Sequence, residues 1–201
     1  METQLQRAIR ALREGGVVAY PTDTVYGLGA NGFDPDAVHR VYRMKRRALT
    51  LPVPLLVADL EMLYTVVATI PEEAVALVEH FMPGPLTLVL PKAAAVPDIV
   101  TAGGDSVAVR IPGHQAPIRL ARGLGAPLVG TSANRSGRPS VTTAGEVRAE
   151  LGSEVDVIVE GECPGGVEST VVDFTGGKLK VVREGAISLG ELERVLASRE
   201  D

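Results

Sequence analysis

Short apolar runs alternate with amphipathic helical spans along this chain. Each is cut off by glycine, proline or a capping side chain, and that alternation confines it to an α/β architecture. Leu5, Ala8, Ile9 and Leu12 recur at helical spacing, so residues 3–14 form an amphipathic helix that stops at Gly15-Gly16. The run 17–20 reads as a buried strand. It feeds Pro21-Thr22-Asp23-Thr24-Val25-Tyr26-Gly27-Leu28-Gly29-Ala30, read as a loop of hydroxyls, one carboxylate, one phenol and two glycines. Asp34-Pro35 supplies an N-cap with proline at the first helical position, for a helix through about Lys45 with Val38, Val41 and Tyr42 inward. Residues 51–57 read as a strand whose prolines place its start at a sheet edge or a mouth.

The same punctuation continues to the end. A helix opening at Pro71-Glu72-Glu73 turns Ala74, Leu77, Val78 and Phe81 to one side and breaks at Pro83-Gly84-Pro85. Residues 86–90 form a strand, and 96–104 read as a loop. In the strand 106–112 alternation puts Ser106, Ala108 and Arg110 on one face. An arginine on the small-residue side of a buried strand is costly unless it meets an anion. A short helix near 115–122 leads to strand 127–130 and then to the polar segment 131–140. Thr143-Ala-Gly-Glu146 and Ser188-Leu-Gly-Glu191 both fit capping boxes. The first starts a helix to Leu151, and the second a final helix over about 189–199 with Leu189, Leu192, Val195 and Leu196 inward. Between them lie strands at 155–159, 165–173 and 178–183, the last two a hairpin. No repeat or linker interrupts the series, so one domain is expected, built on a mixed sheet.

Three polar segments leave or enter strand ends: Thr22 to Thr24 with Tyr26, Thr131 to Ser140, and Glu168 to Thr170. Ligands in α/β proteins sit in such crevices, although capping hydroxyls at ordinary turns look the same. Five basic residues, Arg40, Arg43, Lys45, Arg46 and Arg47, crowd into a chain of net charge −5. They read either as a solvated helix face or as a phosphate clamp. A broad nucleic-acid surface would want a basic face and stacking rings, and this chain is acidic with 3% aromatics. One cysteine, Cys163, excludes an internal disulfide and a multi-cysteine metal site. His39, His80 and His114 occur singly, as structural or exposed residues. There is no GxxxxGK[ST] or GxSxG pattern. No apolar run reaches membrane-span length and no secretory signal opens the chain, so a cytoplasmic protein is expected. Cations and hydroxyls without a nucleophile suit phosphoryl or nucleotidyl transfer, or simple binding of a nucleotide or acidic metabolite.

Five motifs then occur in order: the Pro-Thr-Asp-Thr-Val-Tyr-Gly-Leu-Gly run, Lys45-x-Arg47, Ser106-Val-Ala-Val-Arg110-Ile-Pro, Thr-Ser132-Ala-Asn134-x-Ser-Gly and Val-Glu-Ser169-Thr-Val-Val-Asp. Together they resemble the threonylcarbamoyl-AMP synthase family, the YrdC-like domain, from the first strand to Arg183. The resemblance implies a twisted open mixed sheet with flanking helices around a positively charged cavity. It implies an enzyme that forms threonylcarbamoyl-adenylate and pyrophosphate from L-threonine, bicarbonate or CO2, and ATP. Mg2+ is expected to accompany the nucleotide. The product would serve threonylcarbamoylation of tRNA beside the anticodon, through downstream transferase proteins. By position, Thr24, Arg110, Ser132 and Ser169 would hold threonine, and Lys45, Arg47, Ser106, Asn134, Thr142 and Arg183 would hold ATP. Two other readings stay open: a non-catalytic double-stranded-RNA-binding module, and a carbamoyl-adenylate enzyme with another acceptor. Relatives often carry Pro after Lys-x-Arg, then Asn-Pro-Leu and a histidine that approaches threonine. Here those positions are Ala48, Leu51-Pro52-Val53 and Leu56, and the length resembles the single-domain form.

Overall fold

The computed structural model describes residues 2–198. Eight helices and ten strands follow one another among them. The first half runs α1 Gln4–Arg13, β1 Val18–Tyr20, β2 Gly27–Gly29, α2 Pro35–Lys45, β3 Leu55–Leu56, α3 Leu60–Val66, α4 Glu72–Phe81 and β4 Leu86–Pro91. The second runs α5 Asp98–Thr101, β5 Ser106–Arg110, α6 Gln115–Leu124, β6 Leu128–Val129, β7 Thr131–Ser132, α7 Ala144–Leu151, β8 Val157–Ile158, β9 Thr170–Asp173, β10 Lys180–Arg183 and α8 Leu189–Ala197. The strands form two mixed sheets, ordered β7-β2-β1-β8 and β10-β9-β4-β5-β3-β6. In the larger sheet β4 runs antiparallel to β5 and parallel to β9. The mixed α/β character is the one expected, spread over two sheets.

Local signals set the helix ends. Thr3, Asp34 and Thr143 cap their helices through side-chain oxygens, and the boxes at Thr3, Thr143 and Ser188 are reciprocal. Elsewhere the structure departs from the sequence reading. Gly27–Gly29, read as loop, pairs antiparallel with β1. Residues 98–101, also read as loop, make a helical turn, closed by left-handed Ala102 and Gly103. The strand read at 51–57 shrinks to β3, because Pro52 and Pro54 lack the N–H a ladder needs. β3 lies between β5 and β6 rather than at an edge. The helix α3 was not anticipated. In α8 Leu192 is buried, whereas Leu189 is exposed because it sits at the solvent side of the first turn. The expected extension of this helix to 199 lies outside the described residues.

Tyr20 explains the glycines of the opening motif. Its ring lies across β2, so a Cβ at Gly27 would stand 2.6 Å from the ring, and one at Gly29 2.5 Å from the Val129 carbonyl oxygen. The Tyr20 hydroxyl donates to that same carbonyl at 2.9 Å. Burial raises the phenol's pKa well above its ordinary range and keeps it a donor. β6 and β7 follow each other through Gly130, where the chain passes from the large sheet to the small one. A Cβ at Gly130 would meet Leu56 at 2.4 Å. The sheets therefore meet where backbone replaces side chains, and the polar segments emerge beside that seam. Gly29→Ala should accordingly lower the unfolding free energy by about 2–3 kcal/mol, the usual cost of overpacking. A urea titration showing a loss below ~0.5 kcal/mol would mean that Tyr20 and Val129 yield freely.

Candidate functional site

The strands open onto a cavity of about 630 Å³ between the sheets, within the size range of small-molecule sites. Its floor is the exposed face of β5 and β4. Ser106, Ala108 and Arg110 share that face as their alternation predicts, beside Thr87 and Val89. Arg110 is almost wholly buried. Its Nε donates to the Gly84 carbonyl at 2.8 Å, Nη2 to Asp23 Oδ1 at 2.6 Å and Nη1 to Thr24 Oγ1 at 3.1 Å. The anion that a buried arginine requires is thus internal, and Asp23, which the sequence left without a role, provides it. Burial pulls the guanidinium pKa down and Asp23 opposes the shift. The other carboxylate oxygen of Asp23 is buried without a hydrogen-bond partner.

The basic cluster divides. Arg40 turns away to the Gly15 carbonyl and Asp156, and Arg43 and Arg46 are exposed. Lys45 is buried, and its ammonium donates to the carbonyls of Ser132 and Asn134, pinning the 131–140 segment. Arg47 reaches the Leu51 and Pro52 carbonyls at 3.2 and 2.8 Å and so shapes the mouth, where Pro52 and Pro54 also stand. Leu51 is half-exposed at that mouth, while Leu56 is buried in the cavity wall.

The third wall comes from β9 and β10. Ser169 Oγ lies 2.9 Å from Thr87 Oγ1, and Arg183 donates to the Ser169 carbonyl at 2.9 Å while pairing with Glu168. Arg183 faces the cavity because a bulge between Val181 and Arg183 shifts the register of the edge strand. Thr87 escaped the sequence reading; its signal was a single hydroxyl inside the apolar run Leu86 to Leu90. Thr24, Lys45, Arg47, Ser106, Arg110, Ser132, Asn134, Ser169 and Arg183 all line this one cavity. Thr142 does not. The helix N-terminus beside it was expected to offer free N–H groups, but the Glu146 carboxylate accepts from Thr142 N and Thr143 N at 2.8 and 2.9 Å.

The remaining candidates have structural work. His114 caps α6, accepting from Ala116 N at 3.0 Å, and His80 packs edge-on against Phe81. Burial pushes the Cys163 thiol up, away from the thiolate a nucleophile needs. Tyr26 donates to the Val159 carbonyl at 3.0 Å, its phenol pushed up to about 12 chiefly by burial.

Lys45 yields a pH prediction. Burial, with Arg47 beside it, lowers its pKa to about 8 against the pull of Glu168 and Glu150. The unfolded chain therefore holds more protons than the folded one between about pH 8 and the ordinary lysine value of 10.5. This penalty on folding is complete below pH 8 and is relieved as pH rises. Between pH 7.5 and 9.5, urea unfolding should shift in favour of the wild type over Lys45→Met by about 2 kcal/mol. A difference that stays flat across this window would refute the assignment.

Comparison with known proteins identifies the family. Residues 10–185 match the family model Sua5/YciO/YrdC, whose description reads telomere recombination. A threonylcarbamoyl-AMP synthase of Pyrococcus abyssi is 43% identical over 196 residues, covering 97% of this chain and 58% of that protein. One of Bacillus subtilis is 41% identical, covering 97% of this chain and 57% of that protein. The chain thus spans less than two thirds of the length of these relatives. Among solved structures, P. abyssi Sua5 complexed with L-threonine superposes with a TM-score of 0.91 at 42% identity, over 97% of this chain and 58% of that one. Escherichia coli YciO superposes with a TM-score of 0.85 at 28% identity, over 96% of this chain and 95% of that one. On its sequence, its fold and the residues gathered in its cavity, the chain belongs to the Sua5/YciO/YrdC family.

Proposed function

We propose that this chain is an L-threonylcarbamoyladenylate synthase, using L-threonine, bicarbonate or CO2, and ATP. The observation that carries the reading is the cavity's inventory: five cationic side chains, Lys45, Arg47, Arg110, Arg138 and Arg183, against one lining carboxylate, Glu168, and no activated nucleophile. Such a site can position anions and neutralise charge, which is what nucleotidyl transfer demands. The threonylcarbamoyl-AMP synthases among its relatives, and the L-threonine in the P. abyssi complex, support the same chemistry.

In this scheme Arg110 takes the threonine carboxylate, with Thr24, Ser132 and Ser169 around the rest of the amino acid. The amine nitrogen bonds to the carbon of CO2 and gives up a proton, leaving a carbamate. A carbamate oxygen then attacks the α-phosphorus of ATP, the bond to the β-phosphate breaks, and pyrophosphate leaves. Lys45, Arg47 and Arg183 would face the phosphates, with Ser106 and Asn134 orienting the nucleotide. Besides its two carbonyl bonds, Lys45 makes only a long contact of 3.5 Å to Asn134 Oδ1, which a phosphate oxygen could replace. Thr142, outside the lining, receives no contact. Carbamates revert in water, so a recessed site that limits solvent favours the second step. No group of three metal-ligating side chains occurs among the described residues, so Mg2+ would arrive held by the nucleotide's phosphates. The product would pass to a transferase that modifies the tRNA adenosine beside the anticodon, in the cytoplasm. Among the described residues no helix is long and apolar enough to cross a membrane.

The decisive assay is pyrophosphate release from ATP and bicarbonate, with L-threonine, with L-serine, and with neither. Release should depend on threonine; release indifferent to it would sink the proposal. Arg110→Ala should raise the threonine KM by about tenfold or more, the loss of a charge-assisted pair, while the ATP KM changes by less than about threefold. An equal rise in both would show that Arg110 does not hold the amino acid.

A further inference from the structure

The hydrogen on the Thr24 hydroxyl can be located from its neighbours. A threonine hydroxyl has one hydrogen to give and two lone pairs to offer. Thr22 Oγ1 gives its hydrogen to the Val25 carbonyl at 2.7 Å. One of its lone pairs takes the Thr24 N–H at 3.0 Å, and the other faces Thr24 Oγ1 at 2.9 Å. Thr22 has no second hydrogen, so the one in that contact comes from Thr24. Thr24 Oγ1 also accepts from Arg110 Nη1 at 3.1 Å. A single lone pair is left on a side chain that is buried to 3% exposure yet lines the cavity.

The neighbouring residue of the same loop sets the guanidinium. Arg110 spends three of its five N–H groups on Gly84, Asp23 and Thr24. One N–H on each terminal nitrogen remains for acceptors on a ligand. The two side chains together therefore ask for a ligand with an acceptor pair at Arg110 and a hydrogen-bond donor at Thr24.

We infer that Thr22 is a positioning residue that fixes the polarity of the amino-acid site. By holding Thr24 as an acceptor only, it selects substrates bearing an N–H next to a carboxylate and rejects α-keto acids, which present lone pairs at both places. This deepens the amino-acid reading proposed above and rests on it. The contact also suits the chemistry. The nitrogen keeps one hydrogen when it bonds to CO2 and loses the other proton, so Thr24 holds it from free amine to carbamate.

The test compares two ligands of nearly the same shape, L-2-aminobutyrate and 2-oxobutyrate, by calorimetric titration, with L-threonine as reference. The wild type should bind the amino acid at least about tenfold more tightly than the keto acid, the cost of facing two acceptors. Thr22→Val keeps the volume and the branch but frees the Thr24 hydrogen to turn toward the cavity, so the ratio should fall below about threefold. Thr22→Ser should keep the wild-type ratio. The ratio is the readout because loosened packing would weaken both ligands alike. Equal binding of the two ligands by the wild type overturns the inference, whether or not Thr22→Val folds. So does a folded Thr22→Val that retains the full ratio, or a folded Thr22→Ser that loses it. If the wild type binds the amino acids but shows no preference, only this inference falls. If it binds neither threonine nor L-2-aminobutyrate, the amino-acid reading fails and takes the inference with it.

Discussion

A guanidinium buried in the floor of a sheet cannot stand alone, and the way Arg110 is satisfied organises the molecule around it. Its three committed N–H groups reach three separate places: the Pro83-Gly84-Pro85 turn before β4, Asp23, and Thr24. Each is held in turn. Gly84 N donates to the Ile111 carbonyl at 2.9 Å, which closes the turn over the end of β5. The Thr24 carbonyl accepts from Gly166 N at 2.8 Å, tying the opening loop to the segment that enters β9. Removing Asp23 would leave an uncompensated buried cation, a far larger penalty than the loss of one surface ion pair. The requirement of one side chain thus ties the 83–85 turn to the opening loop and, through that loop, to the segment that enters β9.

Local chemistry was legible in the sequence. Capping boxes, the Asp34-Pro35 start and the alternation through Ser106, Ala108 and Arg110 depend on residues two to four apart, and the structure bears them out. What escaped depends on distant partners. Gly27–Gly29 pairs as a strand because Tyr20 folds across it and bonds to Val129, more than a hundred residues away. Thr87 becomes a cavity residue only because β9 brings Ser169 beside it. Lys45 was read with its basic neighbours as part of a solvated helix face or a phosphate clamp, and burial against the 131–140 segment gives it a structural task that neither reading contained. Nine of the ten residues named from motifs line the cavity, whereas the bonds among them were not legible, because a motif records residue types and not the direction of a hydrogen.

Those internal bonds also give the cavity two different ends. At one end Arg110 faces Asp23, so the charge there is almost cancelled before any ligand arrives. At the other, Lys45 and Arg47 rest on backbone carbonyls, which orient a cation without removing its charge. Near a surface of intermediate polarity, a full charge attracts a phosphate chain several times more strongly than a neutralised pair does. In the proposed reading a polyanion would therefore be drawn to the Lys45 and Arg47 side. A singly charged carboxylate would lose less at Arg110, where hydrogen-bond geometry rather than net charge would do the selecting. The two kinds of anion would then not compete for one place. Because the carbonyl and carboxylate partners hold the cations in place, little reorganisation of them remains when an anion arrives. The loop from Pro21 to Ala30, with its two threonines around an aspartate, supplies both the charge that quiets Arg110 and the oxygen that stands beside it.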